Sequence, residues 1–274
     1  VNQIPSPRLA ATIILARGAP HGFELYMTRR SRQSAFAADA FVFPGGTVDA
    51  RDFAAESSDR TLGLEHERIR AVLRATTPPE LPNAEPRIDA AAGSALLIAA
   101  LRELFEEAGI LIACTRGGLP VDAALVRSEN VQRARNSIGS GELSFAEFLI
   151  RNDWFADARE LVLFSHWITP RGEPRRYNTY FFFALAPPGQ AGLADARETH
   201  EGLWIAPQDA LARYRERDFH LVYPTIKHLE RLRAFESIAQ LHAFARSKPV
   251  LTILPTTADG DEGFAMPHEL ENAW

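Results

Sequence analysis

The chain has 274 residues, of which 46% are hydrophobic, a length and composition that suit one large globular domain or two smaller ones. A net charge of -5 supplies no basic face for a nucleic-acid duplex, and no apolar run reaches the roughly 18 residues of a membrane span. The single cysteine, Cys114, excludes an internal disulfide and suits a reducing compartment.

In chain order, residues 8 to 16 and 22 to 29 read as the strands of a hairpin, with Gly18, Pro20 and Gly22 in the connection. A turn follows at Phe43-Pro44-Gly45-Gly46. The pattern predicts a helix from Leu64 to Arg74; beyond it Pro78, Pro79, Pro82 and Pro86 deny helix and favour an extended loop. One long helix is expected from about Ala90 to Ala108, closed by Gly109 where a left-handed residue is favoured. Cys114 follows the apolar run Ile110-Leu111-Ile112 and reads as a buried core thiol.

Residues 121 to 152 read as one or two helices, with Ser144 and Glu147 forming a capping box. Strands are expected at 160 to 168, 177 to 186 and 202 to 206, and Phe181, Phe182 and Phe183 read as core. Three short helices, 207 to 217, 224 to 235 and 237 to 246, precede an extended tail. Strands flanked by helical segments imply an α/β (α+β) sandwich. The expected organisation is a single domain over 1 to 274, with an insertion at about 53 to 93 and a helical C-terminal extension at about 207 to 274.

The most informative stretch is Arg102-Glu103-Leu104-Phe105-Glu106-Glu107-Ala108-Gly109-Ile110. At about 100° per residue, Glu103, Glu106 and Glu107 fall within roughly a 100° arc of one helix. Leu97, Ile98, Leu101, Leu104, Phe105 and Ala108 form the apolar stripe opposite, so the acids are expected to point away from the core. Like charges at this spacing cost a helix about 0.2 to 0.5 kcal/mol per pair. A hard divalent cation reverses that sign, because magnesium and manganese prefer carboxylate oxygen, water and phosphate. A solvated acidic face is the plainer alternative, but the whole pattern arises by chance in such a chain with probability on the order of 10⁻⁵.

Together with the Gly-Gly turn, these residues resemble the box of the Nudix hydrolases, G-x5-E-x7-R-E-U-x-E-E-x-G-U with U aliphatic. Gly46 matches its first glycine, and Asp52 stands where the box has Glu. Residues 53 to 101, 49 in number, occupy the space that the family fills with seven, a 42-residue insertion inside the box. A similar insertion marks the peroxisomal-type coenzyme A diphosphatases. Val42-Phe43-Pro44-Gly45-Gly46-Thr47-Val48-Asp49-Ala50 and Ala100-Leu101-Arg102-Glu103-Leu104-Phe105-Glu106-Glu107-Ala108-Gly109 are both similar to that subgroup. The likeness extends from about residue 10 to about 235. Upstream, Thr28-Arg29-Arg30-Ser31 opens as does a coenzyme-A-associated signature, T-x-R-S-x3-R-x3-G-x3-F-P-G-G, whose later Arg and Gly fall here at Ala35 and Asp39.

The resemblance implies a Nudix-type α/β/α sandwich with a mixed sheet, and attack of water on one phosphorus of a nucleoside diphosphate derivative. It makes Glu103, Glu106 and Glu107, with the Gly46 carbonyl, the ligands of Mg²⁺ or Mn²⁺. Arg102 then orients the acids, and Asp52 serves a dispensable structural salt bridge. Arg30, Ser31, Phe43 and Arg175 are carried as substrate-binding candidates, Phe43 also reading as a packing residue. Arg171, Arg175 and Arg176 flank a turn that could grip phosphates or merely be solvated.

For the general base the candidate is Glu201, in Glu198-Thr199-His200-Glu201-Gly202-Leu203-Trp204, with Glu198 and His200 behind it. Coenzyme A or acyl-coenzyme A is the leading substrate. ADP-ribose, a dinucleotide or a nucleotide sugar is the first alternative, and a non-catalytic nucleotide-sensing domain the second. Retention of all three glutamates and Arg102 argues against the sensing domain. No nucleic acid or membrane is expected as a partner. A homodimer is a family expectation to which the tail from Pro249 to Trp274 could contribute. The chain shows no amino-terminal signal segment and ends Glu271-Asn272-Ala273-Trp274 rather than in an S-K-L-like address, so a cytoplasmic enzyme is expected.

Overall fold

The structure, a computed structural model, describes residues 5–32, 37–73, 88–193, 199–257, 263–271 and 274. The expected hairpin is present as β1 (Arg8–Ala19) and β2 (Gly22–Arg30), paired from Ala16↔Leu25 to Ala19↔Gly22. Beyond Ala16 the two strands part, and the next segment fills the fork between them. There β3 (Phe41–Val42) pairs with β2, and β4 (Gly45–Thr47) pairs with β1 at Ala10, Ala11 and Thr12. Pro44 sits at the corner, where its missing N–H is not needed, and its carbonyl accepts from the Ile13 amide at 2.8 Å.

A short 3₁₀ turn, Ala50–Phe53, leads into the insertion, which holds α1 (Ala55–Asp59), β5 (Thr61–Leu62) and α2 (His66–Leu73). The last helix matches the expected one within two residues; Arg74 and the four prolines lie outside the described residues. The acidic helix is α3 (Ala90–Ala108). After β6 (Ala113–Thr115) come α4 (Ala123–Val126), α5 (Glu129–Gly139) and α6 (Phe145–Asn152), three helices where one or two were expected. The expected capping box of α6 is formed, with the Ser144 hydroxyl accepting from the Glu147 amide at 3.1 Å and the Glu147 carboxylate accepting from the Ser144 amide at 2.9 Å.

Not expected was β7 (Trp154–Asp157), four residues long and too short to show an alternating pattern. It pairs with β5 and β6 in a small second sheet, tying the insertion to the body. The remaining strands are β8 (Val162–Ile168), β9 (Tyr177–Leu185) and β10 (Thr199–Ile205). They precede α7 (Pro207–Arg215), α8 (Tyr223–Leu232), α9 (Ile238–Ser247) and a two-residue β11 (Thr252–Ile253).

The main sheet runs β10-β2-β1-β9-β8-β11 and is mixed, with β1 parallel to β9 and β8 parallel to β11. Both its faces are covered. Ala11, Ile13, Leu15, Tyr26 and Phe182 meet Leu97, Leu101, Leu104 and Phe105 of α3 on one face. Ile14, Ala16, Leu25, Met27, Phe181 and Phe183 meet Leu211, Leu229, Leu232 and Leu241 of α7 to α9 on the other. Alternation of successive side chains across the sheet produces both cores from one set of strands. The architecture is the expected α/β/α sandwich, and all three phenylalanines are core. Cys114 is buried, as expected.

The tail lies against this chain's own core. β11 adds to the edge of β8, and the buried Trp274 ring stands 5.3 Å from that of Trp167 and 5.0 Å from that of His228. Two buried histidines knit this region. His166 bonds Thr252 Oγ1 through Nδ1 at 2.9 Å and Asn178 Oδ1 through Nε2. His228 Nδ1 lies 2.6 Å from the Pro224 carbonyl, which can only accept, so Nδ1 carries the proton. Its Nε2 therefore accepts from the Ser165 hydroxyl at 2.6 Å. Among the described residues no helix is long and apolar enough to cross a membrane.

Candidate active site

Asp89 starts α3 by accepting from the Ala92 amide at 2.8 Å, and Gly109, at φ 63°, ends it in the left-handed conformation. Between them an Ala- and Leu-rich run favours helix throughout. The acids point away from the apolar stripe, as helical periodicity suggested, but they do not face open solvent. Glu107 is only 4% exposed, because β4 and the 3₁₀ turn pack across the acidic side of α3. The Gly45 amide donates to Glu107 Oε2 at 3.0 Å. A Cβ on Gly46 would stand 2.5 Å from Glu103 Oε1, so a larger residue there would push the Glu103 carboxylate aside.

Arg102 holds the assembly together, with all five of its N–H donors engaged. Nε and Nη2 form a bidentate pair with Asp52 at 2.9 Å each. Nη1 reaches Glu103 at 2.8 Å and Glu106 at 3.0 Å, and Nη2 also donates to the Thr47 carbonyl at 3.1 Å. Burial works against its charge, but the carboxylates of Glu103, Asp52 and Glu106 outweigh burial and hold the guanidinium protonated above its ordinary range.

Asp52 is 2% exposed and is gripped from two sides, since its carboxylate also accepts from the Asp49 amide at 2.8 Å as the third residue of a capping box. The structural salt bridge expected of it is present. Removing Asp52 would take the bidentate partner from Arg102 and leave that guanidinium to Glu103 and Glu106.

The donor set offered here is three carboxylates and a glycine carbonyl, all oxygen, which fits a hard divalent cation and not a soft one. Among the described residues no three His, Cys, Asp or Glu side chains stand in the geometry of a metal centre. Glu103 and Glu106 turn instead to Arg102, and Glu107 to the Gly45 amide.

Residues 7–232 match the family model for the NUDT19 Nudix domain. The chain belongs to that family. It is 31% identical to the acyl-coenzyme A diphosphatase NUDT19 of Gallus gallus, an alignment covering 92% of this chain and 76% of the relative. Identity to the Homo sapiens protein of the same name is 29%, covering 92% and 77%. A crystal structure of a Nudix hydrolase from Alicyclobacillus acidocaldarius superposes with a TM-score of 0.68 at 25% identity, covering 88% of this chain and 97% of that one. The protein is thus a Nudix hydrolase, a family whose members generally use divalent metal ions, and Arg102 to Gly109 with Gly46 is its Nudix box.

The other candidate residues are spread more widely. Arg30 and Ser31 lie at the outer end of β2, where the Arg30 amide donates to the Ala40 carbonyl at 2.9 Å. Asp39, at the position of the signature's glycine, has φ 62°, the left-handed conformation that glycine would supply and aspartate tolerates. Its carboxylate accepts from Arg29 at 3.1 Å and Arg32 at 3.4 Å, and the Arg29 hydrogen bond is the main cause holding its pKa below the ordinary range. Ala35 lies outside the described residues.

Phe43 is buried in the core on the α8 side, edge-on to His228 at 6.0 Å, so it packs and does not face a substrate. Arg175 is exposed in the turn between β8 and β9. Its neighbour Arg176 is buried and donates to the Thr169 and Pro5 carbonyls, a structural role. Glu201 is 49% exposed and pairs with Arg29 at 3.6 Å. Arg29 stands 5.5 Å over the Phe41 ring, on the face opposite α3, so the structure does not bring Glu201 to the triplet. Glu198 and the side chain of His200 lie outside the described residues.

Two residues near the box were not anticipated. Tyr26 is buried on the α3 face of β2, and its pKa is pushed up to about 12, chiefly by burial, with the charge of Arg135 acting against that rise and the charge of Glu107 adding to it. Alternation along β2 shows which face Tyr26 takes, but not that α3 covers it. Arg135 of α5 caps the end of α3, and no local pattern in the sequence marks a residue that acts on a helix some thirty positions earlier.

Proposed function

We propose that this Nudix hydrolase cleaves the diphosphate linkage of coenzyme A or an acyl derivative, giving an adenosine bisphosphate and a phosphopantetheine product. The observation that carries the reading is the five-donor clasp of Arg102 on Glu103, Glu106, Asp52 and the Thr47 carbonyl, which with the Gly45 amide on Glu107 holds the Gly-Gly turn against the three glutamates across the insertion. The relatives from Gallus gallus and Homo sapiens, named acyl-coenzyme A diphosphatases, point to this substrate class. So does the spacing of Thr28, Arg30 and Ser31 ahead of Phe43-Pro44-Gly45-Gly46, which matches the coenzyme-A-associated signature.

Glu103, Glu106, Glu107 and the Gly46 carbonyl would hold Mg²⁺ or Mn²⁺. Such an ion, when bound, neutralises the diphosphate and lowers the pKa of water. Arg102 keeps the carboxylates in place, and the closely packed Gly-Gly turn positions them relative to the substrate. Water adds its oxygen to one phosphorus, the bridging P–O bond breaks, and the bridging oxygen leaves with the other phosphate. We take the proton-accepting carboxylate to come from the triplet and not from Glu201, which engages Arg29 on the other side of the sheet. The enzyme is proposed to be cytoplasmic, in keeping with a single, buried, unpaired cysteine, and homodimeric, as light scattering would test.

A hydrolysis screen with Mg²⁺ or Mn²⁺ against coenzyme A, an acyl-coenzyme A, ADP-ribose, NADH and nucleotide sugars tests the substrate. Coenzyme A compounds are expected to be cut fastest. Inert coenzyme A beside rapid cleavage of ADP-ribose or a nucleotide sugar would transfer the assignment to that class.

A further inference from the structure

An α-helix leaves its last four carbonyls without intrahelical partners, and in α3 these belong to the residues that end the Nudix box. The Gly109 amide takes the Phe105 carbonyl at 2.9 Å, and the Leu193 amide takes that of Ala108 at 2.7 Å. The carbonyls between them, of Glu106 and Glu107, are both taken by one side chain of another helix. Arg135 of α5 donates from Nε to the Glu106 carbonyl at 2.9 Å and from Nη2 to the Glu107 carbonyl at 3.0 Å. The same Nη2 reaches the Leu193 carbonyl at 2.7 Å, and Nη1 reaches Gln132 Oε1 at 3.3 Å.

Arg135 is 5% exposed, so its desolvation is tolerated only because these acceptors, with the negative end of the helix dipole, replace water. Glycine is needed beside it for a second reason besides its φ: a Cβ on Gly109 would stand 2.8 Å from Arg135 Nη1.

The segment that Arg135 ties to the helix is itself fastened at several points. Gln190 bonds both the amide and the carbonyl of Leu111, at 2.8 and 3.0 Å. Trp204 donates to the Ala191 carbonyl at 2.7 Å, and Arg127 to that of Gly189 at 2.8 Å. Gly192 lies against the Tyr26 ring, where a Cβ would come within 2.5 Å. The guanidinium therefore stands where α3, α5 and the 189–193 segment meet, and the backbone it grips is that of Glu106 and Glu107 themselves.

We propose that Arg135 is a positioning residue of the hydrolase: by holding the carbonyls of Glu106 and Glu107 it sets the direction of their carboxylates, so the metal affinity of the box depends on a side chain outside it. The inference rests on the reading of those glutamates as metal ligands. A lysine keeps the charge but has neither the planar fork nor the reach to satisfy three carbonyls at once.

The test is Mn²⁺ binding to the purified full chain by calorimetry, with kcat and KM for diphosphate hydrolysis measured beside it. Arg135→Lys is expected to weaken Mn²⁺ binding by about tenfold or more and to lower kcat similarly, while KM moves less than about threefold, in line with other residues that orient metal ligands. Gly109→Asn, which tolerates the left-handed conformation but displaces the same guanidinium, is expected to shift both in the same direction and decides the matter if Arg135→Lys fails to fold. Ser144→Ala, which removes a helix cap away from the box, controls for lost stability alone and is expected to keep wild-type Mn²⁺ affinity. Wild-type Mn²⁺ affinity and kcat in folded Arg135→Lys, beside lost binding in Glu107→Gln, would overturn the inference and leave the metal site standing. Unaltered Mn²⁺ binding in Glu107→Gln would overturn the metal reading itself.

Discussion

Arg102 and Asp52 form the pair on which the box turns. Asp52 is buried and joined to the half-buried Arg102 by two hydrogen bonds, so Asp52→Ala leaves the guanidinium to Glu103 and Glu106 alone, at a cost of about 1.5 to 3 kcal/mol for lost hydrogen bonds between charged groups. Chemical denaturation is expected to show that loss, and an unchanged midpoint would restore the reading of Asp52 as dispensable. For Glu103→Gln, a hydrolysis rate lower by about 100-fold or more is expected with the circular dichroism of the wild type, whereas Glu201→Gln should stay within about threefold. A large loss in Glu201→Gln would return the base to the β10 segment. The grouping of the three glutamates was legible at this scale because helical period depends on spacing alone. The burial of Glu107 was not, because it is imposed by a turn some sixty residues earlier in the chain.

The Gly45-Gly46 turn acts as a wedge in the fork between β1 and β2, and its two glycines answer to different neighbours. A Cβ on Gly45 meets the Ala11 carbonyl at 2.4 Å, which is backbone and cannot yield cheaply; one on Gly46 meets the movable carboxylate of Glu103. Gly45→Ala is therefore expected to lower Tm more, and Gly46→Ala to lower turnover more at a smaller loss of stability. Calorimetry paired with rate measurements separates the two, and equal effects on both quantities would contradict the packing described. Helices and long strands were readable from periodicity and caps, as α3 and the Ser144 box of α6 show. The short strands β5 and β7 were not: they exist because the insertion finds partners across the fold, and four residues carry no period. Phe43, carried both as a substrate candidate and as a packing residue, packs, because the chain turns it to the core opposite the box.

Across the whole molecule, two buried histidines form an acid-sensitive element, His228 against Phe181 in the core under α7 to α9 and His166 stacked on Tyr180 of the other core. Burial is the first cause lowering the pKa of His228 to about 3 and of His166 to about 4, so both are neutral in the fold and bind protons more readily when unfolded. Their contribution to stability is full above the unfolded value of about 6.5 and is lost as pH falls from there toward 4. Tm is expected to be level near pH 7 to 8 and to fall between about pH 6.5 and 4, with a shallower fall in His166→Gln; a level Tm down to pH 5 would contradict this. The layered architecture was legible because strand and helix periods, with the Nudix resemblance, allow few arrangements. The docking of the tail through Thr252 and Trp274 was not, since a two-residue strand and a terminal tryptophan reveal their partners only in three dimensions.

The central claim is that the acid triplet, held to the Gly-Gly turn by Arg102 and the Gly45 amide, is the site of coenzyme A diphosphate cleavage. Product analysis by mass spectrometry after incubating coenzyme A and Mn²⁺ with the wild type and with Glu107→Gln tests it most directly. The account predicts adenosine bisphosphate and phosphopantetheine in equal amounts from the wild type, and about 100-fold less of both from the folded variant. Coenzyme A left intact by the wild type, or cut at the wild-type rate by Glu107→Gln, would contradict it.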